Sequence, residues 1–116
     1  MSRESGGRVV IIGAGLVGST FAYSLMINGV ASEIVMIDVN QERLMGEVMD
    51  LNHGIAFVRP VTVRAGDYSD CRTADVIVIT AGVSQKPGES RLDLLGRNAA
   101  IFRSIVAEIN ASGSEA

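Results

Sequence analysis

Three glycines and one aspartate carry the first chemistry legible in this chain. Gly13-Ala14-Gly15-Leu16-Val17-Gly18 has the spacing G-x-G-x-x-G and follows directly on the apolar run Val9-Val10-Ile11-Ile12. A glycine-rich turn that leads from a strand into a helix can aim backbone N–H groups, and the positive end of the helix, at a diphosphate. In such a turn the first glycine permits the tight bend and the second lets a phosphate approach the backbone. The third lets the helix pack closely on the strand. Asp38 ends the next apolar run, 20 residues after Gly18, where a carboxylate can accept hydrogen bonds from the hydroxyls of an adenosine ribose. It would also repel a 2′-phosphate, so the pattern favours NAD over NADP. The same residues admit a plainer reading, with the glycines as ordinary turn residues and Asp38 as a cap for a helix starting near Asn40. What separates the two is context: strand, turn, helix, strand and acid must all fall at the required offsets.

Those offsets come from the elements around the motif. Arg8 to Ile12, Glu33 to Ile37 and Ala74 to Thr80 are β-branched runs of the kind found in strands buried on both faces of a parallel sheet. Between the first two, Ala14 to Gly29 places Val17, Phe21, Leu25 and Met26 at helical spacing, with Asn28-Gly29 as the stop. Gln41 to Phe57 repeats the pattern with Leu44, Val48, Leu51 and Ile55, and Pro60 ends it. Val61 to Ala65 is a short alternating strand expected near a sheet edge, followed by a turn at Gly66 to Asp70. Thr80-Ala81-Gly82-Val83 forms a second small-residue turn, which is either part of the same ligand crevice or an ordinary strand-to-loop glycine. A loop from Ala81 to Ser90 then leads to a last helix, Leu92 to Ala111, with Leu95, Ala99, Phe102, Val106 and Ile109 on one side. Strands alternating with helices in this way predict a parallel α/β fold with strand order 3-2-1-4 and helices on both faces, a partial doubly wound sheet of the Rossmann type. The fourth strand is then an apolar edge that invites pairing or self-association, and a homo-oligomer is the expectation.

Composition narrows the function classes. At 116 residues the chain has room for one domain, and 47% hydrophobic with 20% charged residues is a globular composition. A net charge of −3 and an isoelectric point near 5.0 give no reason to expect nucleic acid or an anionic membrane surface as partner. Cys71, the single cysteine, cannot make an intramolecular disulfide, and no Cys/His cluster has metal-ligand spacing, so no metal is expected. A reducing, cytoplasmic setting fits, and the polar start Met1 to Gly7 before a short apolar run does not read as an export signal.

Beyond the glycine motif lie more specific strings: Val10 to Gly18, Ile37-Asp38, Met49-Asp50-Leu51-Asn52-His53-Gly54, Gly66-Asp67-Tyr68, Ile79-Thr80-Ala81-Gly82, and Gln85-Lys86-Pro87-Gly88-Glu89-Ser90-Arg91-Leu92-Asp93-Leu94. Together these resemble the NAD-binding portion of the lactate/malate dehydrogenase family, from about Arg8 to Gly113. The resemblance implies NAD as cofactor, held by Gly13, Gly15, Leu16, Val17 and Gly18, by Asp38, by Arg43 and Tyr68 around the adenosine, by Ala81, Gly82 and Val83, and by Ser104. It also implies that the loop Gln85 to Arg91 closes over substrate. Lactate-type members carry glutamine where this chain has Gln85, and malate-type members usually carry arginine, so the implied substrate pair is pyruvate and lactate. Arg91 is implied as the catalytic residue that stabilises charge developing on the ketone oxygen, a task suited to a permanent, planar cation. Read without the resemblance, Arg91 is a solvated charge ahead of a helix and Gln85 to Gly88 an exposed turn.

His53 is the only histidine, but it falls in the segment that the family packs against a neighbouring subunit, so capping or interface is its expected role rather than proton transfer. Cys71 has no base beside it in sequence and is not expected to be a nucleophile. In the family, the proton-exchanging histidine, its aspartate and the carboxylate-binding arginine all come from sequence following the portion matched here. The expectation is therefore a partial cofactor domain over residues 1–116 without the catalytic domain, inactive by itself. The competing expectation is a non-catalytic nucleotide-binding or assembly module.

Overall fold

The computed structural model describes residues 7–54 and 60–116. Its elements, in chain order, are β1 (Arg8–Ile12), α1 (Leu16–Asn28), β2 (Glu33–Ile37), α2 (Gln41–His53), β3 (Thr62–Ala65), a 3-10 helix (Tyr68–Thr73), β4 (Val76–Ile79) and α3 (Arg91–Ala111). All four strands are parallel, in the order β3-β2-β1-β4. Val10 faces Val35 on one side and Ile77 on the other, and Ile34 faces Val63. The predicted order and edge position of β3 match. Ile55 and Phe57, expected to continue the second helix, lie outside the described residues.

Alternation along the strands sorts side chains onto two faces. Ile11, Ile34, Met36 and Val63 meet α1 and α2 through Ala22, Met26, Leu44, Val48 and Leu51. Val10, Ile12, Val35 and Ile37 meet Cys71 and Ile105 from the 3-10 helix and α3. Helices thus cover both faces, as a sheet of continuous apolar strands requires.

Two helical faces differ from the periodicity reading. α1 buries Gly18, Ala22 and Met26, leaving Val17 exposed and Phe21 at the border. The helix sits so close to the sheet that small residues make the contact, and a scan for large apolar side chains passes over such a stripe. On α3 the packed residues are Ile101, Ile105 and Ile109, whereas Leu95, Phe102 and Val106 are exposed. That helix carries two apolar stripes, and spacing does not reveal which one meets the sheet.

Helix ends follow local chemistry. Gly29 stops α1 in the left-handed conformation (φ 65°), its N–H donating to Leu25. The Asn40 side chain caps α2 by accepting from the Arg43 N–H at 3.0 Å. Ser90 and Asp93 form a reciprocal capping box on α3, which makes Arg91 the first helical residue. A capping box of Asp67 and Asp70 likewise organises the 3-10 helix where the sequence suggested only a turn.

Candidate functional site

The carboxyl edge of β1 is where the sheet's order reverses, since β2 and β4 flank it and their connections run to opposite faces. β1 ends at Ile12, and the chain turns at Gly13, whose φ of 116° is one that residues with a side chain rarely adopt. The Gly13 N–H donates to the Ile37 carbonyl at 2.7 Å, tying the turn to the end of β2. From the other side, Thr80 at the end of β4 donates its hydroxyl to the Gly13 carbonyl at 3.0 Å. The first glycine turn and the second turn are therefore in direct contact, as the strand order demands.

The three glycines have different reasons for being glycine. A Cβ on Gly13 would stand 2.7 Å from the Thr80 hydroxyl and 2.8 Å from the Ala81 nitrogen, and one on Gly18 would fall on the Gly13 carbonyl. Both are fixed by the protein's own packing. Gly15 has an ordinary φ of −76°, and a Cβ there would meet no protein atom within 4 Å. It lies immediately before α1, whose first N–H groups have no helical acceptor. Leu16 and Val17 beside it are 85% and 69% exposed. Open space over a bare helix start, rimmed by uncovered apolar side chains, fits the diphosphate of a dinucleotide.

Asp38 leaves the end of β2 and is 6% exposed. One carboxylate oxygen accepts from the Ala14 N–H at 2.7 Å and from Arg43 Nη2 at 2.9 Å, and the other accepts from the Asn40 N–H at 2.7 Å. Burial alone would push this carboxyl upward, but the two backbone donors and the Arg43 guanidinium outweigh it and hold the group below the ordinary aspartate range. The acid is thus ionised and bonded directly to the glycine turn. The capping alternative holds for Asn40 rather than Asp38, because Asn40 supplies the side-chain cap. Val39, which sequence reasoning passed over, follows at 98% exposure and offers an apolar surface beside the acid.

Gln85 and Arg91 line one recess of about 420 Å³ with Leu94, Leu95 and Asn98. Gln85 Nε2 donates to the Glu89 carbonyl at 2.6 Å. The loop is fastened to α3 by residues the sequence did not single out. Arg97 donates to both Glu89 carboxylate oxygens at 2.6 and 2.7 Å and to the Ser84 carbonyl at 3.0 Å, and Asn98 Oδ1 accepts from the Val83 N–H at 3.0 Å. With Arg97 and the Lys86 N–H as donors, the Glu89 carboxyl is held down at about 2. Spacing offers a signal for these contacts only once the loop is known to fold back on the helix.

The remaining sequence candidates lie on other elements. Ala81, Gly82 and Val83 follow Thr80 beside the turn. Tyr68 is half-buried against the α3-side core, where burial, Glu108 and Cys71 raise its phenol above the ordinary range. Ser104 is exposed in the fourth turn of α3, about 20 Å along the helix from Arg91 at 1.5 Å per residue. His53 ends α2 and is exposed at the amino edge of the sheet, opposite the turn. Cys71 is buried, and burial followed by Asp70 and Asp67 pushes its thiol up, which disfavours the reactive thiolate. Among the described residues no cluster of three or more His, Cys, Asp or Glu could hold a metal, and no helix is long and apolar enough to cross a membrane.

Residues 7–116 match the family model described as lactate/malate dehydrogenase, NAD binding domain. The chain belongs to that family. Its match is to the NAD-binding domain, so its cofactor is NAD. It is 54% identical over 114 residues to an L-lactate dehydrogenase of Geobacillus stearothermophilus, covering 97% of this chain and 36% of that protein. It is 56% identical over 102 residues to an L-lactate dehydrogenase of Acetivibrio thermocellus, covering 88% of this chain and 32% of that one. Among solved structures, the minor L-lactate dehydrogenase from Enterococcus mundtii in its ligands-bound form superimposes with a TM-score of 0.92 at 49% identity, over 95% of this chain and 35% of the other. The chain thus spans about a third of the length of these dehydrogenase relatives.

Proposed function

We propose that this NAD-binding domain serves hydride transfer between L-lactate and pyruvate, holding the cofactor on the glycine turn and contributing Gln85 and Arg91 to the substrate. The observation that carries the proposal is the meeting of Gln85 and Arg91 on one recess, formed where the loop after β4 leads into α3. Relatives bearing the name L-lactate dehydrogenase support the substrate pair. Gln85 supports it too, because a neutral amide tolerates the methyl of pyruvate and offers no cation for a second carboxylate.

NAD, when bound, supplies the hydride acceptor or donor. The chain's own work is positioning and charge. N–H groups at the start of α1 would receive the diphosphate, Asp38 would accept from the adenosine ribose, and Ala81 to Val83 would border the cofactor from the β4 side. Arg91 stabilises negative charge on the ketone oxygen as it grows, an interaction stronger in the transition state than in the bound substrate. A fixed cation at the first turn of α3 suits this because its donors keep one plane. The proton that accompanies the hydride is assigned to no side chain here, since His53 stands at the opposite edge.

Titration of NADH into the purified chain, followed by its fluorescence with and without pyruvate, tests the proposal. Binding of NADH that pyruvate strengthens, with the pyruvate effect abolished in Arg91→Gln while NADH binding persists, is the expected result. No binding of NADH, or a pyruvate effect indifferent to Arg91, would sink it. Self-association is proposed as well, supported by the β4 edge and the exposed stripe Leu95, Phe102 and Val106.

A further inference from the structure

Asp38 is bonded to one partner that the glycine turn does not require. Arg43 Nη2 lies 2.9 Å from the carboxylate oxygen that also accepts from Ala14. The Asp38 side chain is 3% exposed, whereas that of Arg43 is 49% exposed. The arrangement is built by α2: the Asn40 cap fixes Arg43 as the third helical residue and turns its guanidinium back over the end of β2. A guanidinium has five N–H donors in a rigid fork, and half of this one stays open to solvent at the mouth where a ribose would reach Asp38.

We propose that Arg43 is a preformed anchor for a 2′-phosphate, kept occupied by Asp38, so that the choice of NAD over NADP is made by the ion pair and not by the charge of Asp38 alone. This rests on the reading above in which Asp38 takes the adenosine ribose. A 2′-phosphate would be attached to the hydroxyl nearest that carboxylate, within reach of the same guanidinium. Arginine pairs with phosphate through parallel N–H bonds. While Asp38 is ionised, it both repels the phosphate and neutralises the arginine that could receive it. Removing its charge does two things at once: the repulsion disappears and the guanidinium becomes available. Simple repulsion predicts that Arg43 is irrelevant to the outcome. The ion-pair account predicts that Arg43 supplies most of the gain.

Affinities for NADH and NADPH, measured by cofactor fluorescence in a chain that has no tryptophan, separate these accounts across wild type, Asp38→Asn, Arg43→Gln and the double variant. Asp38→Asn keeps an acceptor for the Ala14 N–H, and Asp38→Ser serves in its place if thermal melting shows the first to be unfolded. Asp38→Asn is expected to tighten NADPH by about tenfold or more, as one charge-assisted contact would. The double variant should return most of that gain, and 2′-phosphoadenosine should compete with NADPH only where Arg43 is present. A double variant that binds NADPH as tightly as Asp38→Asn overturns the proposal, as does an Asp38→Asn protein with no gain. Failure of the wild type to bind NADH at all would overturn the cofactor reading together with this one, whereas NADH binding without the NADPH gain removes only the ion-pair account.

Discussion

Gly13, Gly15 and Gly18 look equivalent in a sequence pattern, yet the structure gives them different tasks, and substitution should separate them. Gly15→Val places its Cβ where no protein atom lies within 4 Å. It should weaken NADH at least about tenfold while costing about 1 kcal/mol of stability or less, the scale of a lost helix cap. Gly18→Ala drives a methyl onto the Gly13 carbonyl, and Gly13→Ala adds backbone strain of about 1–3 kcal/mol. Both should lower the melting temperature, by about 4–8 °C per kcal/mol in a domain of this size. A thermal melt beside a cofactor titration reads both quantities. At this scale the turn and Asp38 were legible because their types and offsets follow from anion chemistry. Glu89, Arg97 and Asn98 were not, because their partners Lys86, Ser84 and Val83 become neighbours only when the loop doubles back.

Strand identity and order were readable at the level of elements, since buried parallel strands leave unbroken β-branched runs and each helix between them must cross over in one sense. The faces of α1 and α3 were not, for separate reasons. On α1 the stripe Gly18, Ala22, Met26 is mostly small, so it contributes little to a hydrophobic period. On α3 two apolar stripes compete, and the sheet takes Ile101, Ile105 and Ile109. Substitutions on α3 distinguish the two directly. Ile105→Ala should cost about 2–5 kcal/mol by opening a cavity against Val10, Ile12 and Val35. Phe102→Ala, on the exposed stripe, should stay within about 0.5 kcal/mol in denaturant unfolding. The reverse order of costs would mean that α3 packs by the other face. The same exposed stripe bears on association: Phe102→Ser combined with Val106→Ser should reduce any concentration-dependent self-association in sedimentation without unfolding the chain.

Across the whole molecule, the carboxyl edge of the sheet, with its glycine turn, is balanced by an ion network nearer its other end. Arg8 bonds Glu33, and Arg64 bridges Glu33 at 3.1 Å and Asp70 at 2.5 Å. For Glu33, burial raises the carboxyl but hydrogen bonds from Arg8 and Arg64 outweigh it, whereas Asp70 is lowered first of all by Arg64. Carboxyls depressed in the folded state stabilise it fully above their unfolded values, 4.5 and 3.8, and lose that contribution as pH falls through the lower folded ones. Stability should therefore decline with acid below about pH 4.5, and Arg64→Met should flatten that decline in denaturant unfolding measured from pH 6 to 2. Such a network is invisible in sequence because Arg8, Glu33, Arg64 and Asp70 meet only through the strand registers. Amide NMR of the labelled chain during titration with NAD tests cofactor binding at the glycine turn most directly. Shifts concentrated at Ala14 to Gly18, Asp38 to Asn40 and Ala81 to Val83 are the predicted result. Saturating NAD that leaves those amides unmoved, or moves a patch centred elsewhere, would contradict it.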